Sequence, residues 1–191
     1  MTRKQIGNAL IITGSIALII AAAVLLFNLF QDKEAGRQSN EVLEEIESLI
    51  HESGDSGDNS SEMPTVYVDS LPYIGTVCIP AIGIKLPVIN EWSLAGAKIA
   101  PCRYTGSIYD GSLIIAGHNF SSHFGFISSL KAGDEVYFTD IKGNKYVFSV
   151  LKTEIIEKKD VNRMVSGKWD LTLFTCTIGG KQRITVRCIS R

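Results

Sequence analysis

No charged side chain occurs between Gln5 and Gln31, although charged residues make up 20% of the whole chain. The apolar run ALIITGSIALIIAAAVLLFNLF in this stretch has about 20 residues, enough to cross a bilayer core of roughly 30 Å. Signal peptides carry apolar regions of about 7 to 15 residues, so the length favours an uncleaved anchor, although AAAV leaves a cleavage site open. Arg3 precedes the run and Asp32 follows it. We therefore expect a single-pass protein of the cell membrane with a cytoplasmic N-terminus and an extracellular C-terminal part.

The chain also lacks a CxxC pair, which excludes a zinc knuckle and makes a redox protein a weak hypothesis. An even number of cysteines in an oxidising compartment leaves disulfides open. Two of the four, Cys78 and Cys188, lie in apolar strand patterns and are also consistent with buried free thiols. No carboxylate cluster indicates a calcium site, and we expect no cofactor and no metal. We expect no nucleic-acid partner.

Three regions follow from the composition. Residues 1–31 form the cytoplasmic tip and the anchor, residues 32–63 form a polar stalk and linker, and residues 64–191 form one domain with its own core. The stalk contains NEVLEEIESLI, whose apolar residues have helical spacing: Val42, Leu43, Ile46, Leu49 and Ile50. The following HESGDSGDNSSEMP has the composition of a flexible linker, so we expect the domain boundary near Met63.

Short β-rich runs dominate the domain, and the sequence has no internal repeat. They are TVYV, YIGTVCIPAI, IKLPVI, SLIIAGH, DEVYFTD, KYVFSVLKTEII, LTLFTC and RITVRCIS. The segment KGNK predicts a hairpin in which Gly143 and Asn144 can take positive φ. Seven or eight strands in about 125 residues predict a mainly β fold, a closed or nearly closed barrel with short helices at EWSLAGAKIA and FISSL.

Two apolar runs end in residues suited to thiol chemistry. SLIIAGH ends at His118 and LTLFTC ends at Cys176, so each side chain is expected at a strand end. A nucleophilic cysteine needs a proton carrier beside it. If the last two runs form a hairpin, Arg183 returns near the sulfur, where a cation can stabilise a thiolate or an oxyanion. The alternative is a buried histidine, a buried cysteine and a surface arginine in a non-catalytic binding barrel.

These residues resemble a known family. TLFTC followed by RITV, with AGHN upstream and YIGTVCIPAIGIKLPVI at the start, is similar to the sortases, membrane-anchored cysteine transpeptidases of Gram-positive bacteria. The resemblance covers about Val68 to Arg191, and three separated motifs in the right order carry it. It implies an eight-stranded β-barrel. Its implied partners are surface proteins with a C-terminal sorting signal and an amine of the cell-wall precursor or peptidoglycan.

The resemblance also implies a role for each matching residue. Cys176 would attack the threonine carbonyl of an LPxTG-like signal to form a thioacyl enzyme, and His118 would exchange protons with the leaving and incoming amines. Arg183 would bind the substrate backbone and oppose the oxyanion, while Thr175 would support the substrate groove. Arg187 is expected on the same strand face as Arg183 and competes for its role.

His123 matches no family histidine and is expected to be a loop residue. The segment EMPTVYVDSLP lacks the Asp-Pro-aromatic lid motif of pilus-building members, and the sequence has no second apolar span near Arg191. Both observations disfavour a pilin polymerase and leave the cell-wall anchoring subclasses open. A secreted thiol peptidase would use the same cysteine and histidine but transfer its acyl group to water.

Overall fold

The computed structural model describes residues 3–52 and 62–191, so most of the predicted linker lies outside the described residues. The chain divides into two compact units, Met1–Glu34 and Ala35–Arg191. Helix α1 begins at Arg3 and ends at Glu52. Within the first unit its apolar side chains, such as Leu18 and Phe30, are exposed. By length and composition this helix can cross a membrane, as the uncharged run predicted.

The second unit consists mainly of strands. They are β1 (Val66–Val68), β2 (Leu71–Ile79), β3 (Ile84–Ile89), β4 (Cys102–Thr105), β5 (Leu113–Ala116), β6 (Glu135–Asp140), β7 (Lys145–Glu157), β8 (Leu171–Cys176) and β9 (Gln182–Ser190). Two short helices, α2 (Gly96–Ile99) and α3 (Val161–Val165), and two 3-10 turns, Pro80–Ile82 and Ile127–Ser129, lie between them. The helices expected at EWSLAGAKIA and FISSL are confirmed, whereas β4 and α3 were not predicted.

Eight of these strands close into a barrel, as predicted. The order is β2-β3-β4-β5-β8-β9-β7-β6, and antiparallel pairing of β2 with β6 joins the two ends. Strand β1 is a short addition at the outer edge of β2. Parallel pairing occurs between β3 and β4 and between β5 and β8. The second parallel pair places the C-terminal ends of β5 and β8 at the same rim of the barrel.

The barrel interior holds the main apolar core, which includes Leu113 and Ile115 from β5 and Leu171 and Leu173 from β8. Side chains alternate between the two faces of a strand, so the intervening residues lie on the outer face. A smaller apolar cluster covers that face: Ile114, Ala116, Ile156, Met164 and Phe174. Ile156 of β7 shares this outer face, and Met164 of α3 covers part of it.

The second half of helix α1 belongs to the same unit as the barrel. We expected a solvated stalk here, but Val42 and Ile46 are buried and pack with Tyr73 and Ala97. The helical spacing of the apolar residues is confirmed, and the barrel provides the surface that this apolar face covers.

The hairpin predicted at KGNK joins β6 to β7. Gly143 has φ +84°, but the expectation of positive φ at Asn144 is wrong. Asn144 instead donates its backbone N–H and its side-chain amide to the two carboxylate oxygens of Asp140, at 2.8 and 3.0 Å. The loop closes through this buried carboxylate, so a single left-handed residue is sufficient.

Candidate active site

The parallel register of β5 and β8 brings His118 and Cys176 to the same level. Each residue of β5 pairs with the residue 58 positions later, up to Ala116 and Phe174. Beyond the last pair, the Gly117 N–H donates to the Phe174 carbonyl at 2.9 Å. The Thr175 hydroxyl donates to the Gly117 carbonyl at 2.9 Å. The same offset of 58 residues makes His118 the neighbour of Cys176 across the strand ends.

The position before the histidine has to be a glycine. Gly117 points toward the barrel interior, where a Cβ atom would collide with the ring of Phe124. The chain returns to this point because the Phe124 N–H donates to the His118 carbonyl at 3.0 Å. The small residue of the AGH sequence thus lets the loop pack closely and fixes the backbone that carries His118.

Arg183 flanks Cys176 from the other neighbouring strand. Strands β8 and β9 form an antiparallel hairpin in which Cys176 and Arg183 are directly opposed, as the sequence predicted. Side chains of opposed residues lie on the same face of a sheet. One guanidinium nitrogen of Arg183 donates to the carbonyls of Gly180 and Gln182, at 3.2 and 3.1 Å. An arginine has five N–H donors, so this anchoring leaves donors for a ligand.

His118, Cys176 and Arg183 line one cavity of about 480 Å³. Its rim carries the aromatic side chains of Trp92, Tyr104 and Phe174, and Tyr104 meets Phe174 edge to face at 5.3 Å. A further wall comes from the last residue of β7 and the connection from β7 to β8: Glu157, Lys158, Asp160, Val161 and Met164. Such a groove, mainly apolar with a few convergent polar groups, is the usual form of a peptide or small-molecule site.

The imidazole of His118 lies half-buried against an aromatic ring. It stacks on Phe120 with 4.3 Å between ring centroids and 7° between ring planes. Burial lowers the pKa of His118 below its ordinary value of 6.5; the positive charge of Lys98 lowers it further, and a hydrogen bond with Asn119 opposes the shift. The neutral imidazole, which can accept a proton, is therefore favoured near pH 7.

All four cysteines, which lie in the described part of the chain, are free thiols. The disulfide left open by the sequence is thus absent from the described residues. Burial raises the pKa of Cys102 to about 11 and that of Cys188 to about 12, so both remain protonated and unreactive at neutral pH. Cys176 is half-buried and lines the cavity, which makes it the thiol placed for chemistry.

Arg187 shares the outer face of β9 with Arg183 but is 1% exposed. It is directly opposed to Thr172, four residues before the cysteine. Its Nε donates to Glu154 at 3.0 Å. Burial raises the pKa of Glu154, but hydrogen bonds from Arg163, Arg187 and Lys152 outweigh this and bring the pKa to about 2. Arg187 is thus buried in an ion pair with Glu154, and Arg183 is the arginine that lines the cavity.

The other two residues considered from the sequence are buried. Thr175 is 1% exposed, and its hydroxyl connects β8 to the segment carrying His118 by a hydrogen bond, so it stabilises the backbone at the site. His123 lies in the loop after His118, as expected for a loop residue, but it is fully buried against Phe120.

Sequence reasoning did not identify α3 or the aromatic rim. The signal for α3 was weak: Asp160 precedes VNRMV, and its carboxylate accepts the Arg163 N–H at 3.0 Å as an N-cap. Trp92 and Tyr104 come from separate loops and strands, and nothing in their local sequence connects them with Cys176.

Comparisons with known proteins identify the family of this domain. A family model described as "Sortase domain" matches residues 77–190. Sortase A of Listeria monocytogenes is 29% identical over 109 residues, which are 54% of this chain and 49% of the relative. The chain thus spans about half the length of the curated relative it matches.

Two examples represent the solved structures that share the fold. A sortase D5 transpeptidase of Clostridium perfringens superposes with a TM-score of 0.60 at 19% identity, covering 81% of this chain and 99% of that one. Sortase C of the same organism, determined with the C-terminal cell wall sorting motif, gives a TM-score of 0.56 at 18% identity over 83% and 94% of the two chains. The family model covers more than half of the chain, and the chain belongs to the sortase family.

Proposed function

We propose that this sortase is a cysteine transpeptidase that cleaves an LPxTG-like sorting signal and joins the N-terminal product to a cell-wall amine. The observation that supports it most strongly is the strand register, which sets His118 and Arg183 on either side of Cys176 at one cavity. A thiol, a neutral imidazole and a fixed cation are the groups that acyl transfer through a thioester requires.

In the first half-reaction the neutral imidazole of His118 accepts the proton of the Cys176 thiol, and the resulting thiolate attacks the carbonyl carbon of the signal's threonine. A C–S bond forms and the peptide oxygen becomes an oxyanion, which the guanidinium of Arg183 stabilises. The C–N bond to the following residue then breaks. His118 delivers a proton to the leaving amine, which departs with the C-terminal fragment and leaves a thioacyl enzyme.

In the second half-reaction an amine enters the same cavity and attacks the thioester carbon. His118 accepts the proton that the amine loses, and Arg183 again stabilises the oxyanion. The C–S bond breaks, and the sulfur of Cys176 leaves as a thiolate that regains its proton from the imidazolium of His118. Thr175 takes a supporting role in this scheme, because its hydroxyl holds the backbone before His118.

The location of the substrates fits an anchored enzyme. Surface proteins with a C-terminal sorting signal are the acyl donors in this proposal, and an amine of the cell-wall precursor or peptidoglycan is the acceptor. The related sortase C structure contains a sorting motif, which supports this choice of donor. The helix that begins at Arg3 would retain the enzyme at the extracellular surface of the cell membrane, where both substrates occur.

Product analysis with and without an amine tests the reaction. The full chain in detergent is incubated with LPxTG-like peptides, with or without a primary amine, and the products are identified by mass spectrometry. We expect an amide of the N-terminal fragment when the amine is present. Hydrolysis that the amine does not change would indicate the thiol peptidase, and intact peptides would indicate a binding barrel.

A further inference from the structure

Arg187 makes the most extensive buried polar contacts on the outer face of the barrel. Besides Glu154, it donates to the Met164 carbonyl at 2.8 Å, the Thr172 hydroxyl at 3.0 Å and the Arg163 carbonyl at 2.6 Å. Burial of an unpaired cation would be energetically costly, but here each of the three guanidinium nitrogens donates to an acceptor. One side chain of β9 thereby connects β7, β8 and α3.

The two carbonyls belong to the end of a very short helix. Helix α3 has five residues, Val161–Val165, and helices far shorter than about 12 residues are unstable alone. The last carbonyls of a helix have no partner within it. The Asn162 carbonyl accepts the Ser166 N–H at 2.8 Å, and Arg187 satisfies the next two. Arg187 therefore acts as the C-terminal cap of α3, supplied from a different strand.

Helix α3 is at the same time a wall of the groove. Val161 and Met164 line the cavity together with Cys176 and His118. Met164 is 5% exposed and packs on Phe174, whereas Val161 is 49% exposed at the mouth. The residues around α3, from Glu157 to Lys168, are exposed apart from Met164. Most of this connection thus has little apolar burial, and the contacts of Arg187 fix its position relative to β8.

We propose that Arg187 is a positioning residue that sets the width of the groove by fixing α3 against β8 and β9. It acts on the bound peptide through the wall, while Arg183 acts on the reacting carbonyl. The claim rests on the proposed function, because the wall matters for turnover only if a peptide occupies the groove. Loss of Arg187 should weaken substrate binding and leave the chemical step nearly unchanged.

The test compares three substitutions in the full chain. Arg187→Met removes all the donors but keeps an apolar side chain of similar length. Arg187→Lys keeps the cation beside Glu154, but an ammonium cannot span two carbonyls and a hydroxyl as a planar fork does. Lys152→Met is the matched control. The Lys152 ammonium also pairs with Glu154, at 3.2 Å, so this substitution removes one cation from the carboxylate but none of the hydrogen bonds to α3. Thermal unfolding of each variant identifies those that fold.

We expect KM for an LPxTG-like peptide to rise about 10-fold or more in both Arg187 variants, with kcat within about 3-fold of wild type. Iodoacetamide reacts with a thiol without binding in the peptide groove, so the rate at which it alkylates Cys176 should stay at the wild-type value. The Lys152→Met variant should keep the wild-type KM. If Arg187→Lys restores KM together with thermal stability, or if KM is unchanged in a folded Arg187 variant, the positioning role is wrong.

Amide hydrogen exchange tests whether Arg187 fixes α3, and it does so independently of the proposed function. The Ser166 amide closes the last turn of α3, so it should exchange about 10-fold faster in Arg187→Lys and at the wild-type rate in Lys152→Met. A wild type that leaves every peptide intact would overturn the transpeptidase proposal, while the exchange data would still decide whether Arg187 fixes α3. Unchanged exchange at Ser166 in folded Arg187→Lys would overturn the inference.

Discussion

Arg183 and Arg187 project from the same face of β9 but meet different neighbours. Arg183 is opposed to Cys176 at the open strand end, with two carbonyls of its own turn holding one nitrogen. Arg187 is buried under α3 and bonded on all sides. The same functional group thus lines the cavity at one position and is enclosed by the protein at the other.

Substitution of Arg183 should lower turnover without unfolding the protein. We expect Arg183→Ala to reduce kcat/KM for transpeptidation on the order of 10²-fold, the loss typical of removing one oxyanion donor. Arg183→Lys should restore little, because an ammonium lacks the planar fork that reaches two oxygens together. Circular dichroism should confirm that both variants are folded. Near-wild-type kcat/KM in Arg183→Ala would remove the guanidinium from the mechanism.

The pKa of His118 should be measurable below 6.5. Burial disfavours the charged imidazole in the folded state, so the pKa is lower than in the unfolded chain. The associated contribution to stability is therefore complete above pH 6.5 and is lost as the pH falls through the folded-state pKa. Titration of the His118 ring protons by NMR gives the midpoint, and His118→Gln identifies the signal. A midpoint above 6.5 would contradict the burial argument.

The sequence predicted that His118, Cys176 and Arg183 would meet at one site, because each one ends or begins an apolar strand pattern. Period-two alternation also placed Arg183 and Arg187 on one face. It could not separate them, because the cover over Arg187 comes from α3, which is only five residues long and lies about 20 residues earlier in the sequence. The same reason applies to His123, whose loop sequence NFSSHFG gives no sign of complete burial.

Among the elements, the second half of helix α1 packs an apolar face against the barrel. Ile46 is fully buried against the barrel, whereas Glu44 is exposed two residues earlier. We expect Ile46→Ala to lower the free energy of unfolding by about 2 to 5 kcal/mol and Glu44→Ala to change it by less than about 0.5 kcal/mol. Urea denaturation of the full chain in detergent measures both. Equal effects would mean that the helix does not pack on the barrel in solution.

The pattern of apolar residues predicted this helix but not its partner. Spacing of 3 and 4 residues defines an apolar face, and only the tertiary structure shows what that face covers. Alternating strands and the KGNK turn were recognisable for the same local reasons. Strand β4 was not, because its four residues pair with β3 through a single residue pair and with β5 across a register shift.

At the scale of the whole molecule, the N-terminal helix should retain the protein in the membrane with the barrel outside. The uncharged run is long enough to span, and Arg3 and Lys4 precede it. Protease added to intact protoplasts should therefore remove the barrel while a cytoplasmic marker protein survives. A protected barrel, or a barrel found mainly free in the medium, would contradict this topology.

Intact-protein mass spectrometry can determine whether Cys176 carries the acyl group. The full chain is mixed with an LPxTG-like peptide in the absence of an amine, quenched in acid and compared with Cys176→Ala and Cys78→Ala. We predict a mass increase equal to the N-terminal peptide fragment, located on Cys176 by digestion, in wild type and Cys78→Ala. The Cys176→Ala variant should remain unmodified and inactive. Full transpeptidation by Cys176→Ala, or an adduct located on another residue, would contradict the account.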